Sequence, residues 1–411
     1  MSLDGGGVRG LISLGILLHI ERELASRSSE PSNFRLSQYF DLIGGTSAGA
    51  LIAAMLAMGL PVQRVIDIFF RLAPEIFGNA NRWAGLGTKF DDAAFDRALR
   101  SVFEDLVTND LGLASEERAS HTAERTTMAT PLLKTGLAVV AKRADTNSVW
   151  VLTNNPNSKY WSPDPVTNEF WKRTPVAERQ TFIPNSDYKL LEVLKASASA
   201  PYFFQPHKIN VTEGRPGTFV DGGASPSNNP CQELLMMVGL RPTGAATGPH
   251  ASPTGFGWDL GRDNLLMISV GTGRVIPPRD PETLARTNPL LFAFNMLHDI
   301  IENASEAATA WLQAVSHTTV REFIDFNVGD LSGLSLAPEP WLTFARFNPH
   351  LSRDLLTRSL GRAFDFDDAV IAKLHQMDNA ELSNLNRCFD IGSAVGKKLV
   401  CPSAFPNQFD L

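Results

Sequence analysis

The stretch Phe40–Leu56, FDLIGGTSAGALIAAML, constrains this chain more than any other. Its first apolar residues, Phe40, Leu42 and Ile43, read as a short buried strand, and its second half reads as an apolar helix that begins at once. At the junction, Gly45-Thr46-Ser47-Ala48-Gly49 fits G-x-S-x-G, the pattern of a serine held on a sharp strand-to-helix turn. Such a turn strains the serine backbone. A β-carbon two positions to either side would collide with neighbouring backbone, and the two glycines remove it. The result is a hydroxyl at a helix N-terminus, where unpaired N–H groups favour developing negative charge. Alone the pentapeptide is weak, because average glycine and serine usage gives roughly 0.1–0.2 chance matches in a chain of this length. Its position between a strand pattern and a helix pattern gives it weight.

Upstream, Asp4-Gly5-Gly6-Gly7-Val8-Arg9-Gly10 places three consecutive glycines before an apolar-periodic helix over 11–24. Glycines pack no side chains, so the use of such a loop is backbone N–H groups that a ligand can approach closely. No strand of any length precedes it and no lysine follows, so neither a dinucleotide fingerprint nor a Walker A loop is expected. The chain opens MSLDGGG, which makes that strand either very short or cut off.

Amphipathic helices are expected over 62–77 and 90–106, and polar loops over 28–33 and 113–130. The β-rich runs 135–142 and 148–153, separated by Arg143–Asn147, read as a hairpin or adjacent strands. The irregular stretch 154–182 carries Tyr160, Trp161, Phe170 and Trp171, which fit either an apolar lid or ordinary loop packing. A helix over 189–199 ends at Pro201, and a strand over 218–220 runs into Asp221-Gly222-Gly223-Ala224. Asn228-Asn229-Pro230 opens a helix through Val238, and 241–263 is a loop rich in Gly, Pro and Thr. The apolar run 265–270 closes on Gly271-Thr272-Gly273, as a buried parallel strand would. Residues 288–411 read as mostly helical, with interruptions over 329–340 before a β-like run 341–347. The expectation is one α/β domain over 1–411, with a motif-bearing core over 1–275 and a helical part over 276–411.

At 411 residues core burial is no constraint. The formal net charge of −7 argues against nucleic acid as the main partner. Cys231, Cys388 and Cys401 have an odd count and no CxxC spacing, which points to reduced thiols and away from a disulfide framework or a zinc site. No basic-then-apolar leader is visible, and no apolar run approaches the ~18–20 residues of a spanning helix. A cytoplasmic protein that meets any lipid substrate from the water side is expected.

Acyl transfer needs a nucleophile, a base and preformed donors for an oxyanion. Ser47 supplies the first, Gly5–Gly7 with the amide of Ala48 supply donors, and Asp221 ends a strand with its carboxylate aimed off the sheet. A partly buried carboxylate bonded to the serine hydroxyl can serve as base. A Ser–Asp–His order would need one of His250, His298, His317, His350 or His375. None of these sits in a glycine-flanked strand-end loop, and His298 and His317 lie in helical patterns. A Ser47–Asp221 dyad is the more economical account.

DGGGVRG, GTSAG, ASASAPYFFQP and VDGGASPSNNP, in this order, resemble the patatin-like phospholipase family. The resemblance runs through SVGTG at Ser269–Gly273 and more loosely beyond. It implies a three-layer α/β/α fold around a mostly parallel sheet. The activity it implies is calcium-independent lipid acyl hydrolysis of the phospholipase A type, through a Ser–Asp dyad and an acyl-enzyme. By position, Ser47 is the nucleophile, Asp221 the base, and Gly5, Gly6, Gly7 and Ala48 the oxyanion site, with Gly45, Gly49, Gly222 and Gly223 as motif glycines. Arg9 matches the loop's usual basic residue, for which a lipid phosphate and a surface carboxylate are equally open as partners. His207 is expected to pack behind the cleft. No cofactor or metal is implied. The partners implied are a membrane phospholipid or another lipid ester, met by transient peripheral contact. A small-molecule activator and a homo-oligomer both fit this set.

The regions 154–182 and 241–263 match no family motif and are where substrate choice or regulation would be set. A second reading is a gated effector, similar to bacterial family members switched on by cyclic nucleotides, because an ungated soluble lipase endangers its own membranes. A neutral glyceride lipase is a third. Intact Ser47 and Asp221 argue against a non-catalytic storage or lipid-binding relative.

Overall fold

The computed structural model describes residues 1–78, 87–162, 169–244, 252–275, 289–325 and 327–411. Among these the strands are β1 (Ser2–Leu3), β2 (Leu42–Thr46), β3 (Gly136–Arg143), β4 (Ser148–Thr153), β5 (His207–Thr212), β6 (Arg215–Asp221), β7 (Leu266–Val270), β8 (His317–Val320) and β9 (Thr343–Phe347). They form one sheet in the order β5-β6-β3-β2-β1-β7-β9-β8, with β4 on the remaining edge of β3. From β3 through β8 all pairings are parallel, whereas β4, β5 and β6 join antiparallel.

Strand alternation divides the apolar residues between two cores. Ile43, Leu137, Val139, Ile268, Val270, Ala345 and Phe347 face one way. There they meet α1 (Gly10–Ala25), α2 (Ala48–Ala57), α3 (Val62–Phe77), α4 (Asp92–Asp105), α5 (Leu190–Ala198) and α8 (Leu382–Leu399). Leu42, Ala138, Met267 and Phe344 face the other way, onto α6 (Cys231–Gly239) and α7 (Pro289–Val315). The fold is therefore a three-layer α/β/α sandwich. Among the described residues no helix is long and apolar enough to cross a membrane.

Several expectations need correction. The β-like run expected over 341–347 is β9, buried at every position, whereas β8 beside it was not expected and adds a further strand to a part read as mostly helical. His317 begins β8 and does not lie in a helix; four residues are too short to show a period-2 pattern. β5 and the short helix Ser115–Ser120 were likewise illegible in local pattern. In 154–182, Trp171 is buried and packs on Phe182 with ring centroids 4.6 Å apart, as loop packing requires. Residues 163–168 and 245–251 of the two unmatched regions lie outside the described set.

Candidate active site

β2 delivers Thr46 to the foot of α2, and Ser47 stands between them at φ 56° and ψ −126°. This conformation is rare for a residue with a β-carbon. A β-carbon on Gly45 would lie 2.2 Å from the Gly49 carbonyl oxygen, and one on Gly49 would lie 2.4 Å from the Leu3 carbonyl oxygen. Both distances are impossible, so the turn needs both glycines.

The register of β3 brings the second residue in. Val140 pairs with Thr46 of β2, and the next residue, Ala141, pairs with Asp221 of β6. Two strands that are distant in sequence thus end beside each other against one edge. The Ser47 hydroxyl donates to Asp221 Oδ2 at 2.6 Å, and the Gly223 N–H donates to Oδ1 at 2.6 Å. Asp221 is 5% exposed. Burial pushes its carboxyl up to about 6, opposed by the Ser47 and Gly223 bonds to its ionised form.

Both partners are held from behind by the end of α5, part of ASASAP. The Ser47 N–H donates to Ser197 Oγ at 2.9 Å, and the Ser197 hydroxyl donates to the Val140 carbonyl at 2.6 Å. The Asp221 N–H donates to the Ser199 carbonyl at 2.9 Å. Sequence reading named the motif and missed this role, because it depends on where α5 crosses the sheet. Ser197→Ala is expected to lower kcat on a soluble ester by about 10–100-fold, since the elbow loses its fixed position. KM should stay within about threefold. An unchanged kcat would show that the clamp is dispensable.

The glycine loop lies beside Ser47: a β-carbon on Gly5 would come within 3.1 Å of the Ser47 β-carbon. Gly5 itself is not a free donor, because its N–H goes to the Asn228 carbonyl at 3.1 Å, while its carbonyl accepts from Thr272 Oγ1 at 2.8 Å. Gly7 adopts φ 57°, and Val8 N–H donates to the Met377 carbonyl at 2.8 Å. Among the described residues the amides of Gly6, Gly7 and Ala48 have no acceptor. Those three can meet an oxyanion. Beneath the loop, Asp4 is clamped by Arg346, whose guanidinium donates to Asp4 Oδ1 at 2.9 Å and Oδ2 at 2.6 Å. Arg346 also donates to Glu322 at 3.0 Å and Ser269 at 2.8 Å, with its side chain 2% exposed.

Arg9 departs from the anion-binding reading. It is 1% exposed, donates to the Gly273 carbonyl at 3.3 Å and lies 3.9 Å from Glu302. In this arrangement a lipid phosphate cannot reach its guanidinium. His207 pairs with Glu192 of α5, consistent with packing behind the cleft. His375 bonds the Leu351 carbonyl at 2.7 Å. Among the described residues no histidine bonds Ser47 or Asp221, whose side-chain partners are each other and Gly223. His250 and the side chain of His298 lie outside the described set.

An apolar slot opens beside Ser47. Gly7, Val8 and Ala48 border it, and Leu51, Phe69, Leu72, Ala73, Ile76, Phe77, Phe95, Ala198 and Phe204 line it. A strained, base-paired hydroxyl, unpaired amides and an apolar slot can together attack an ester, hold its oxyanion and seat its hydrocarbon side.

Residues 1–235 match the sequence model of the patatin-like phospholipase family. Among curated proteins, Patatin-T5 from Solanum tuberosum is 23% identical over 336 residues, which cover 79% of this chain and 72% of that one. Patatin group J-1 from Solanum tuberosum and Patatin-17 from Solanum cardiophyllum are each 24% identical over 284 residues, covering 66% of this chain and 60% of theirs. The chain thus spans roughly three fifths to seven tenths of these relatives. VipD from Legionella pneumophila superposes over 94% of this chain and 66% of its own, with a TM-score of 0.30 and 11% identity, too low to carry an argument.

Proposed function

Because the chain belongs to the patatin-like phospholipase family, we propose that it is a calcium-independent lipid acyl hydrolase that cleaves fatty acyl esters of glycerophospholipids through Ser47 and Asp221. The observation that carries this reading is the 2.6 Å bond from the hydroxyl of Ser47, held on a strained elbow, to the buried carboxylate of Asp221. Asp221 takes the hydroxyl proton as Ser47 Oγ attacks the acyl carbonyl. The amides of Gly6, Gly7 and Ala48 receive the oxyanion at the positive end of α2. Asp221 returns the proton to the departing alcohol, leaving an acyl-enzyme. It then takes a proton from the water that attacks the acyl carbonyl and passes it to Ser47 Oγ as the fatty acid leaves, which restores the hydroxyl. The lipid is met at a membrane surface by transient contact.

The test is fatty acid release by the pure protein from dihexanoyl phosphatidylcholine and from long-chain phosphatidylcholine vesicles, with calcium chelated. Release from either is expected. No release from either between pH 5 and 9, or release only with calcium, would sink the reading. Silence relieved by a small molecule would instead support the gated alternative, and turnover confined to glycerides the neutral-lipid one. The pH profile is the second check. Asp221 acts as the ionised base, so kcat/KM should fall about tenfold per unit below an apparent pKa of about 6 and level off above it. A flat profile from pH 4.5 to 8 would remove Asp221 from the role.

A further inference from the structure

Helix α7 serves the core with its second half. There Ala308, Leu312 and Val315 form an i, i+4, i+7 stripe against the sheet face that carries Met267 and Phe344. The chain reverses at Ser316 into β8, so α7 runs antiparallel to β7, β8 and β9. It reaches the C-terminal ends of the strands near Glu302, Ser305 and Glu306. Glu302 lies 3.9 Å from Arg9, the Ser305 carbonyl accepts from Asn229 at 3.5 Å, and Glu306 pairs with Arg274. Residues 289–301 therefore continue past the sheet by about 20 Å, at 1.5 Å per residue, from the same end that presents Ser47.

That extension reads PLLFAFNMLHDII, with one carboxylate, Asp299, and no lysine or arginine. A helix apolar on nearly every side is normally buried in a core or in lipid. Yet Phe292 is 39% exposed, Met296 is half-buried and Ile300 is 61% exposed. They stand at i, i+4 and i+8, on one side of the helix. At about 100° per residue this stripe lies roughly a third of a turn from the core-facing stripe, so it is a separate apolar surface. Two other elements at this sheet end add exposed rings. Phe323 follows β8, and its carbonyl accepts from Arg274, which also holds Glu306 of α7. Tyr202 belongs to the segment that carries the slot residue Phe204.

We propose that the stripe Phe292–Met296–Ile300 of α7 docks the protein on a lipid surface and holds the mouth of the Ser47 slot against it. The stripe carries no charge, and it stands at the same sheet end as the apolar slot. An ester drawn from a bilayer has to pass from hydrocarbon into that slot. A helix lying in the interface is bound in proportion to the apolar area it buries there. The extension is well short of the ~20 residues that a span needs. The proposal rests on the acyl-hydrolase reading above and names the surface through which that site meets its substrate.

The experiment measures flotation of the protein with vesicles of dialkyl-ether phosphatidylcholine. These vesicles carry no ester, so binding is read independently of hydrolysis. The wild type is expected to float with them. Phe292→Asp and Ile300→Asp combined should weaken partitioning at least tenfold, because carboxylates resist entry into hydrocarbon. The control is Leu336→Asp, since Leu336 is 75% exposed at the other end of α7, where its N–H donates to the Ala314 carbonyl. That variant should bind within twofold of wild type. On a monomeric short-chain p-nitrophenyl ester the double variant should keep kcat/KM within twofold. Its fatty acid release from ester phosphatidylcholine vesicles should fall at least tenfold.

Absence of wild-type flotation overturns the docking, as does flotation of the double variant within twofold of wild type. An equal loss in Leu336→Asp would show unspecific adhesion and overturn it too. A wild-type dimer in sedimentation that the double variant dissolves would overturn it in favour of a second copy of this chain. A wild type that floats yet cleaves neither ester would fail as a hydrolase while the docking stands, so the two failures are told apart.

Discussion

Asp221→Asn is expected to lower kcat on an ester substrate by ~10³–10⁴-fold or more, Ser47→Ala by at least as much, and the double variant by no more than the worse single. The two groups act on one proton, so removing either removes the same step. A neutral amide leaves the oxyanion amides and the slot in place but cannot accept the hydroxyl proton. Loss of activity could also arise from misfolding, and the pKa of Asp221 separates the two. Burial raises the folded-state value from 3.8 to about 6. The native state therefore binds more protons than the unfolded state between those values, and stability falls as pH rises through that window. Above about pH 6 the ionised Asp221 opposes folding, on the order of 2–3 kcal/mol at 1.36 kcal/mol per unit. Asp221→Asn should thus be inactive yet at least as stable as wild type at pH 7.5, with the advantage vanishing near pH 4. A variant that is inactive and clearly less stable would show that Asp221 holds the fold. Alanine substitution of His317, His350 or His375 should leave kcat within about tenfold. A loss of several orders of magnitude in one of them would replace the dyad with a triad.

Arg346→Met is expected to cost about 3–5 kcal/mol in urea unfolding. The substitution leaves Asp4 and Glu322, both buried, facing each other without the guanidinium that bonds both. Burial alone pushes the Asp4 carboxyl up, and Arg346 opposes that shift. Two carboxylates also hold Arg346 firmly protonated. Removing one partner of a buried network is far worse than removing all of them, since the cost lies in the charge left behind. Asp4→Asn, Arg346→Met and Glu322→Gln combined should therefore lose less stability than Arg346→Met alone. If the triple variant lost more than the single, the network would be a net stabiliser by itself. Asp4 directly precedes the glycine loop, so the single variant should also slow ester hydrolysis while the protein remains folded.

Local chemistry made the elbow, the glycine loop and Asp221 legible, because each is backbone geometry written in residue type. Gly45 and Gly49 are required by collisions that any strand-to-helix turn of this kind would have. The long amphipathic helix Val62–Phe77 and the hairpin strand Ser148–Thr153 were legible at both ends for the same reason, through period and breakers. The short strand His317–Val320 was not, because four residues carry too little pattern. Arg9 was ambiguous because a basic residue at a helix start suits an anion or a carboxylate equally. Only burial against Gly273 and Glu302 tells them apart.

By itself, then, the sequence determined which residues can do chemistry and the local turns that present them. The tertiary structure decided which of them meet. Ser47 faces Asp221 because Val140 and Ala141 are adjacent on β3 and each takes a different partner strand. Gly5 loses its donor role to Asn228, and the loop is braced by Thr272, Arg346 and Met377, all far along the chain. Such contacts depend on sheet order and crossing geometry, which no local period encodes.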